Sequence, residues 1–347
     1  MFDVLKETVE LNTIDSYSQQ SNNNFTIIRL IAALLVIYGH SYPILGSGHP
    51  DLILQLLKSR FAGAVAVDVF FVISGFLICA SWERNSFSQF VIARALRIYP
   101  ALIVCVLLSV FVLGFLLTTE SSYFSRPEVW EYLKYNVSLL TNKYYLPGVF
   151  ETHPDKAVNG SIWSLPYEIR LYACLALLGV LSLLKPGRYL LACVAIGLAY
   201  SFDLLSYVHF PMDKSWKNLA PFFMAGAFCW IYRKSIVLSA PILALMIIGC
   251  IAFCKTDKFI YFYFITLVYA TFYLVYIPQL KWSPKKDVSY GVYLYGWPVQ
   301  QLVLHFVPGC TPELNAVLSV IFALILGYLS WEFVESPALA LRKKIKL

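Results

Sequence analysis

The stretch GAVAVDVFFVISGFLICASW, residues 63–82, decides the fold. Its twenty residues contain one charged side chain, Asp68. As a helix, twenty residues rise about 30 Å, the thickness of a bilayer's hydrocarbon core. A lone strand could not satisfy its backbone in lipid, so the segment reads as a membrane helix. The rest of the 347-residue chain repeats this pattern: 59% of residues are hydrophobic and only 14% are charged. Soluble domains carry about 25% charged residues. The expected fold is an all-α polytopic membrane bundle of ten spans, at 25–45, 62–82, 97–118, 161–184, 189–207, 217–233, 236–254, 259–280, 288–308 and 313–333.

Lys and Arg in short loops set the orientation. One side collects Arg84, Arg94, Arg97, Lys185, Arg188, Arg233, Lys234, Lys281, Lys285, Lys286 and the tail RKKIKL. The other collects Lys58, Arg60, Lys214, Lys217, Lys255 and Lys258. The larger set is assigned to the cytoplasm, which puts both termini inside. Residues 1–24 then form a cytoplasmic tail, 25–337 the transmembrane domain, and 338–347 a basic cytoplasmic tail. The first apolar run lacks the basic leader and small-residue cleavage site of a signal peptide, so it reads as a permanent span. One external loop, 119–160, is long and aromatic, which suggests a segment along the membrane surface or a lid. The net charge of +7 lies in orientation clusters, so no nucleic-acid partner is expected. The eight cysteines form no CxxC and mostly sit in apolar runs; neither a metal site nor a disulfide framework is expected.

Several spans carry polar groups that a bilayer makes costly. In RLIAALLVIYGH, residues 29–40, Arg29 and His40 are eleven positions apart. That spacing puts them on one helix face, about 16 Å apart along the axis. The pair reads as one wall of a cavity, with a cation at the inner end and a base at the outer end. Asp68 falls at a depth similar to His40 and could orient its ring. Ser74 and Gly75 permit close approach of a helix or a ligand. In FVIARALRIYP, residues 90–100, Arg94 and Arg97 share a helix face, and two guanidiniums there suit phosphate. In SIWSLPYEIRLY, residues 161–172, Trp163 suits the outer interface. Glu168 needs a partner, either Arg170 or a group across the cavity. In SYGVYLYGWPVQ, residues 289–300, Tyr290 and Tyr293 are i,i+3 neighbours. Pro298 is expected to kink or break that helix; the stretch lines a cavity or forms an aromatic packing face.

In this order, these motifs resemble the acyltransferase 3 family of integral membrane acyltransferases. The likeness runs from about Arg29 to Pro337. It includes the Arg29-to-His40 spacing, VDVFFVISGF, RALR with Pro100, WSLPYE, SYGVYLYGWP and the terminal ESP. The resemblance implies transfer of an acyl group, usually acetyl from acetyl-CoA, to a hydroxyl of an extracytoplasmic glycan or lipid-linked sugar. By position, His40 matches the histidine regarded as catalytic. Arg29, Arg94 and Arg97 match arginines linked to acyl-CoA, and Ser74 and Gly75 match a serine-glycine motif. Asp68, Glu168 and Tyr293 match polar motif positions. Gly296 departs from the histidine common there. An appended esterase-like domain, found in some members, is not expected.

The resulting expectation is a bacterial inner-membrane O-acetyltransferase. Arg29, Arg94, Arg97, Ser74 and Gly75 hold acetyl-CoA, His40 with Asp68 and Glu168 carries the chemistry, and Trp163, Tyr290 and Tyr293 line the cavity. His40 acts as general base, or forms an acetyl-histidine. A transporter or flippase and a glycan polymerase are the readings from other classes, since both also need buried charge and a polar cavity.

Overall fold

The computed structural model describes residues 12–19, 22–202, 213–278 and 284–344. Among them the architecture is helical, and each of the ten expected segments holds a helix. These are α1 (Phe25–Ile44), α2 (Ala62–Arg84), α3 (Phe87–Leu108), α4 (Leu165–Val180), α5 (Arg188–Ser201), α6 (Lys214–Ile231), α7 (Ala240–Phe253), α8 (Phe259–Tyr276), α9 (Ser289–Phe306) and α10 (Pro312–Ser330). Five helical runs are long and apolar enough to cross a membrane: α1, α2, Phe87–Leu117, α8 and Pro312–Arg342. The two longest continue through π-helical turns, at Ser109–Gly114 and Trp331–Glu335.

The centre is α2, packed between α6 and α1, and α1 in turn packs on α9 and α9 on α10. Glycines set the two closest approaches. A Cβ at Gly75 would collide with the Phe223 carbonyl of α6, and one at Gly39 with the backbone of Gly63. Small residues at such crossings let helix backbones meet, the means by which membrane helices gain packing energy. Gly75 therefore serves the α2–α6 contact; of the serine-glycine pair expected at acyl-CoA, only Ser74 lines the cavity described below.

Polar contacts sort the molecule into two ends. At one end Asp15 pairs with Arg233 (2.9 Å) and Arg233 with Glu83 (3.3 Å). There too Arg342 donates to Asn85 (2.6 Å), and Asp287 meets Arg29 and Arg97. The opposite end holds His40, Asp51 and the segment 119–160. The alternation follows the chain, as an up-and-down bundle requires.

Three expectations need correction. Helix α3 begins at Phe87, ten residues before the expected span, because Ser86 and Gln89 form a capping box there. Pro298 does not break α9; the helix runs through it to Phe306. Part of the expected N-terminal tail is packed: the short helix Ile14–Ser18 buries Ile14 completely, and backbone bonds tie it to residues 233–238. Residues 1–11 and 345–347 of the two expected tails lie outside the described residues. The loop 119–160 is also more ordered than a free lid. It contains the helix Pro127–Ser138 and buries Tyr132, Val149 and Asn159.

Candidate active site

A cavity of about 110 Å³ opens between α1, α2, α3, α4 and α9. Helix α2 supplies Val67, Phe70, Phe71, Ser74, Leu77 and Ile78, the i, i+3, i+4, i+7 recurrence of one helix face. Helix α3 turns Arg94 and Arg97 to the same side, as their three-residue spacing requires. Arg29, Glu168, Tyr290 and Tyr293 complete the polar lining with Ser164, Tyr172 and Ser289. Seven of the site residues expected from sequence thus converge: Arg29, Ser74, Arg94, Arg97, Glu168, Tyr290 and Tyr293.

The three guanidiniums differ in their commitments. Asp287 accepts from Arg97 at 2.7 Å and Arg29 at 3.1 Å. Arg97 also reaches Glu335 at 3.3 Å. Burial alone would raise the Asp287 carboxyl, but Arg97 and then Arg29 override it and hold it down at about 2. Arg94 has no carboxylate within ion-pair distance among the described residues, and its Nε is buried without a hydrogen-bond partner. Arg29 Nε is likewise unpartnered. A half-buried guanidinium without an ion-pair partner is stabilised by a ligand anion, which marks Arg94 as the side chain best prepared for one.

Glu168 finds its partners across the cavity. Ser74 Oγ donates to it at 2.9 Å, and Tyr172 Oη donates to the same oxygen. Arg170, the alternative partner, instead donates to the Leu140 carbonyl at 2.8 Å. Tyr290 donates to the Ile98 carbonyl (3.0 Å) and Tyr293 to the Ser161 carbonyl. Trp163 is outside the lining and packs on Tyr167.

His40 is also outside the lining. Its Nδ1 lies 2.8 Å from the Val36 carbonyl. A carbonyl only accepts, so Nδ1 carries the proton and Nε2 presents a lone pair. No described residue hydrogen-bonds Nε2. Phe61 and Trp297 flank the ring, with centroids at 5.4 and 5.0 Å. Its distance from the cavity can be read on two helices. On α2, His40 abuts Gly63, and the cavity ends at Val67, four residues on. On α9, His40 packs on Trp297, and the cavity ends at Tyr293, four residues before. Both counts put the imidazole one helical turn, about 6 Å, beyond the cavity.

Asp68 does not orient His40. It accepts from Tyr263 Oη at 2.8 Å and pairs with Arg60 at 3.7 Å. The reason is azimuth: five residues past Gly63, Asp68 points roughly 140° round α2, toward α8 rather than α1. The carboxylates whose charge acts on His40 are Asp155 and Asp51. The sequence reading also missed Tyr172, Asp287 and Glu335. Tyr172 was within reach, four residues after Glu168 in the same motif. Asp287 follows two lysines in a loop and carries no pattern that would flag it.

The family described as "Acyltransferase domain" matches residues 22–332. An O-acetyl transferase of Shigella phage Sf6 is 33% identical, over 90% of this chain and 95% of its own. Nodulation protein 10 of Rhizobium leguminosarum bv. viciae is 25% identical, over 95% of this chain and 97% of its own. The peptidoglycan O-acetyltransferase OatA of Listeria monocytogenes is 28% identical over 79% of this chain, which aligns with 51% of that protein. No solved structure gives a significant match.

Proposed function

The chain belongs to the acyltransferase 3 family of membrane O-acyltransferases, and on that basis we propose that it moves acetyl from cytoplasmic acetyl-CoA to a hydroxyl of an extracytoplasmic glycan. All ten helices cross the bacterial inner membrane in this reading, with both termini inside and the segment 119–160 outside. The excess of Lys and Arg at the end bearing Asp15, Arg233 and Asp287 supports that orientation.

The observation that carries the reading is the cavity itself. Three guanidiniums converge on its inner end, and its outer end stops one turn short of an imidazole with a free Nε2. The phosphates of the donor meet Arg94 first, since Arg29 and Arg97 already hold acids. The pantetheine arm runs past Ser74, Glu168 and Tyr172 toward His40. There, Nε2 takes the proton of the acceptor hydroxyl while that oxygen attacks the thioester carbonyl. The tetrahedral adduct collapses, the C–S bond breaks, and CoA leaves as a thiolate that takes a proton from the imidazolium. Such general base catalysis is worth about 10²- to 10⁴-fold. The acceptor is a surface polysaccharide or a lipid-linked sugar. The relatives whose names specify O-acetyl transfer, one of them to peptidoglycan, support a hydroxyl acceptor over transport or polymerisation.

The test is purified protein in lipid nanodiscs given labelled acetyl-CoA and isolated surface glycan. Acceptor-dependent release of free CoA, with label in the glycan, is the expected result. It should vanish in an inserted His40→Ala variant. Full transfer by that variant would remove His40 from the mechanism, and glycan translocation without CoA release would overturn the reading.

A further inference from the structure

Buried hydrogen bonds that the chemistry above does not use tie the external segment to α9, and one of the residues they hold, Trp297, packs on the imidazole. Gln301 is fully buried in α9. Its Nε2 donates to the carbonyls of Asp155 and Ala157, both at 2.7 Å. Its Oε1 lies 2.8 Å from His153 Nδ1, and an amide oxygen only accepts, so His153 is the donor. One turn earlier on α9, Trp297 Nε1 donates to the same Ala157 carbonyl at 2.9 Å. One further residue of the segment is fastened, since Asn159 Nδ2 donates to the Leu294 carbonyl at 3.0 Å. A Cβ at Gly160 would strike the Trp297 ring, so the segment lies flat against the indole. That indole also packs on the His40 ring, 5.0 Å away, and on Ile44.

We infer that Trp297, Gln301 and His153 are positioning residues. They latch residues 153–160 onto α9, and the latched indole holds the His40 imidazole at the angle its reaction needs. The Val36 carbonyl fixes only one edge of that ring, and Phe61, Trp297 and the Gly63 backbone surround the rest. An indole with its N–H anchored cannot swing; an indole without that anchor can. A structural role for the latch would be to keep the segment folded. That role predicts lost stability with the imidazole unchanged, whereas a positioning role predicts a changed imidazole in a folded protein.

The kinetic part of this inference rests on the acetyltransferase reading, so the experiment has an arm that does not. Purified protein in nanodiscs is treated with diethyl pyrocarbonate, and carbethoxylation of His40, one of five histidines, is followed by peptide mass spectrometry. Trp297→Phe keeps an aromatic ring and removes the donor; Gln301→Leu removes both ends of the clamp; His153→Phe removes the third member at the protein's outer end. Each should raise the labelling rate of His40 several-fold. Each should lower kcat about 10- to 100-fold, the scale of a misplacement near 1 Å, and leave the KM for acetyl-CoA unchanged. Trp297→Phe combined with Gln301→Leu should be little worse than the more severe single variant, because both act through the Ala157 carbonyl. Unchanged His40 labelling in all inserted variants would overturn the inference, as would a rise in KM at constant kcat. Wild-type protein that transfers no acetyl would overturn the proposed function, and the labelling arm would still decide the latch.

Discussion

Arg94 and Arg97 are three residues apart on one face of α3, and removing them should move stability in different ways. Arg97 lies 2.7 Å from Asp287 and 3.3 Å from Glu335. Arg97→Ala leaves Asp287 with Arg29 and leaves the buried Glu335 carboxylate with the Ser330 hydroxyl. Stripping one partner from a buried ion pair costs about 3–5 kcal/mol. Arg94 has no such partner among the described residues, and its Nε is orphaned. Arg94→Ala removes a half-buried charge that holds no ion pair among the described residues, so the apo protein should hold or gain stability. Donor binding should respond in the opposite sense. A charge-assisted hydrogen bond is worth about 1.5–3 kcal/mol, so Arg94→Ala should weaken acetyl-CoA binding about 10- to 150-fold. The assays are thermal melting in detergent and calorimetric titration of acetyl-CoA. Arg97→Ala should melt early, and Arg94→Ala should melt at or above the wild-type temperature while binding poorly. Equal destabilisation by the two variants, or unchanged donor affinity in Arg94→Ala, would refute the division of labour.

Asp287 gives the protein an acid-sensitive element. Its carboxyl is depressed from 3.8 to about 2, so its contribution is complete above about pH 4 and disappears as pH falls through 2. A tenfold change in acidity corresponds to about 1.4 kcal/mol, which makes that contribution about 2 kcal/mol. Melting curves from pH 5 to pH 2 should show the loss in wild type and a flatter profile in Asp287→Asn. Asp68→Asn should destabilise by about 3 kcal/mol, because it leaves Arg60 unpaired in a mostly buried site. The double variant Asp68→Asn with Arg60→Gln should recover part of that loss in a melting cycle, and strict additivity would contradict the ion pair. Gly75→Ala should cost about 1–3 kcal/mol by forcing α2 off α6. Gly197→Ala, facing open space on α5, should gain about 0.5–1 kcal/mol. Unfolding in detergent separates the two glycines.

Depth along a membrane helix was legible in the sequence, and direction around it was only partly so. A bilayer imposes a length on every crossing; hydropathy placed a helix in each expected segment, though among the described residues only five helical runs are long and apolar enough to span and α3 starts ten residues early. Spacing within one helix was equally readable: Arg94 and Arg97 do share a face, and both reach the cavity. Pairing between helices was not. Asp68 and His40 were matched by depth, yet five residues of helical rotation separate Asp68 from the side that meets α1. Gly75 sits next to Ser74 in one motif, but the two face different neighbours. Ser74 touches Glu168 and Gly75 touches α6. Nor could hydropathy find Asp287, whose partners Arg29 and Arg97 come from two other helices. The start of α3 was missed by ten residues, although Ser86 and Gln89 spell a capping box ahead of the apolar run.

The 16 Å between Arg29 and His40 is divided unequally, and the division matters for a catalyst that faces both sides of a membrane. The inner part is open to the guanidiniums, and the last turn is filled with packed side chains. Ile37, 1% exposed, occupies the space that a side chain at position 296 would take. A bilayer protein with an unbroken wet path between its two faces would leak ions, so in the proposed reading the cavity and the outer face stay separated when no substrate is bound. In the separating layer the Ile37 side chain packs directly against Gly296. The bonds that hold this region lie on either side of it. Gln300 donates to the Ile37 carbonyl and Ser41 Oγ, both at 2.7 Å, and the external latch fixes Trp297 above. In the proposed reading, the interval that a thioester would cross is the one between the cavity and the imidazole, where Ile37 packs against Gly296.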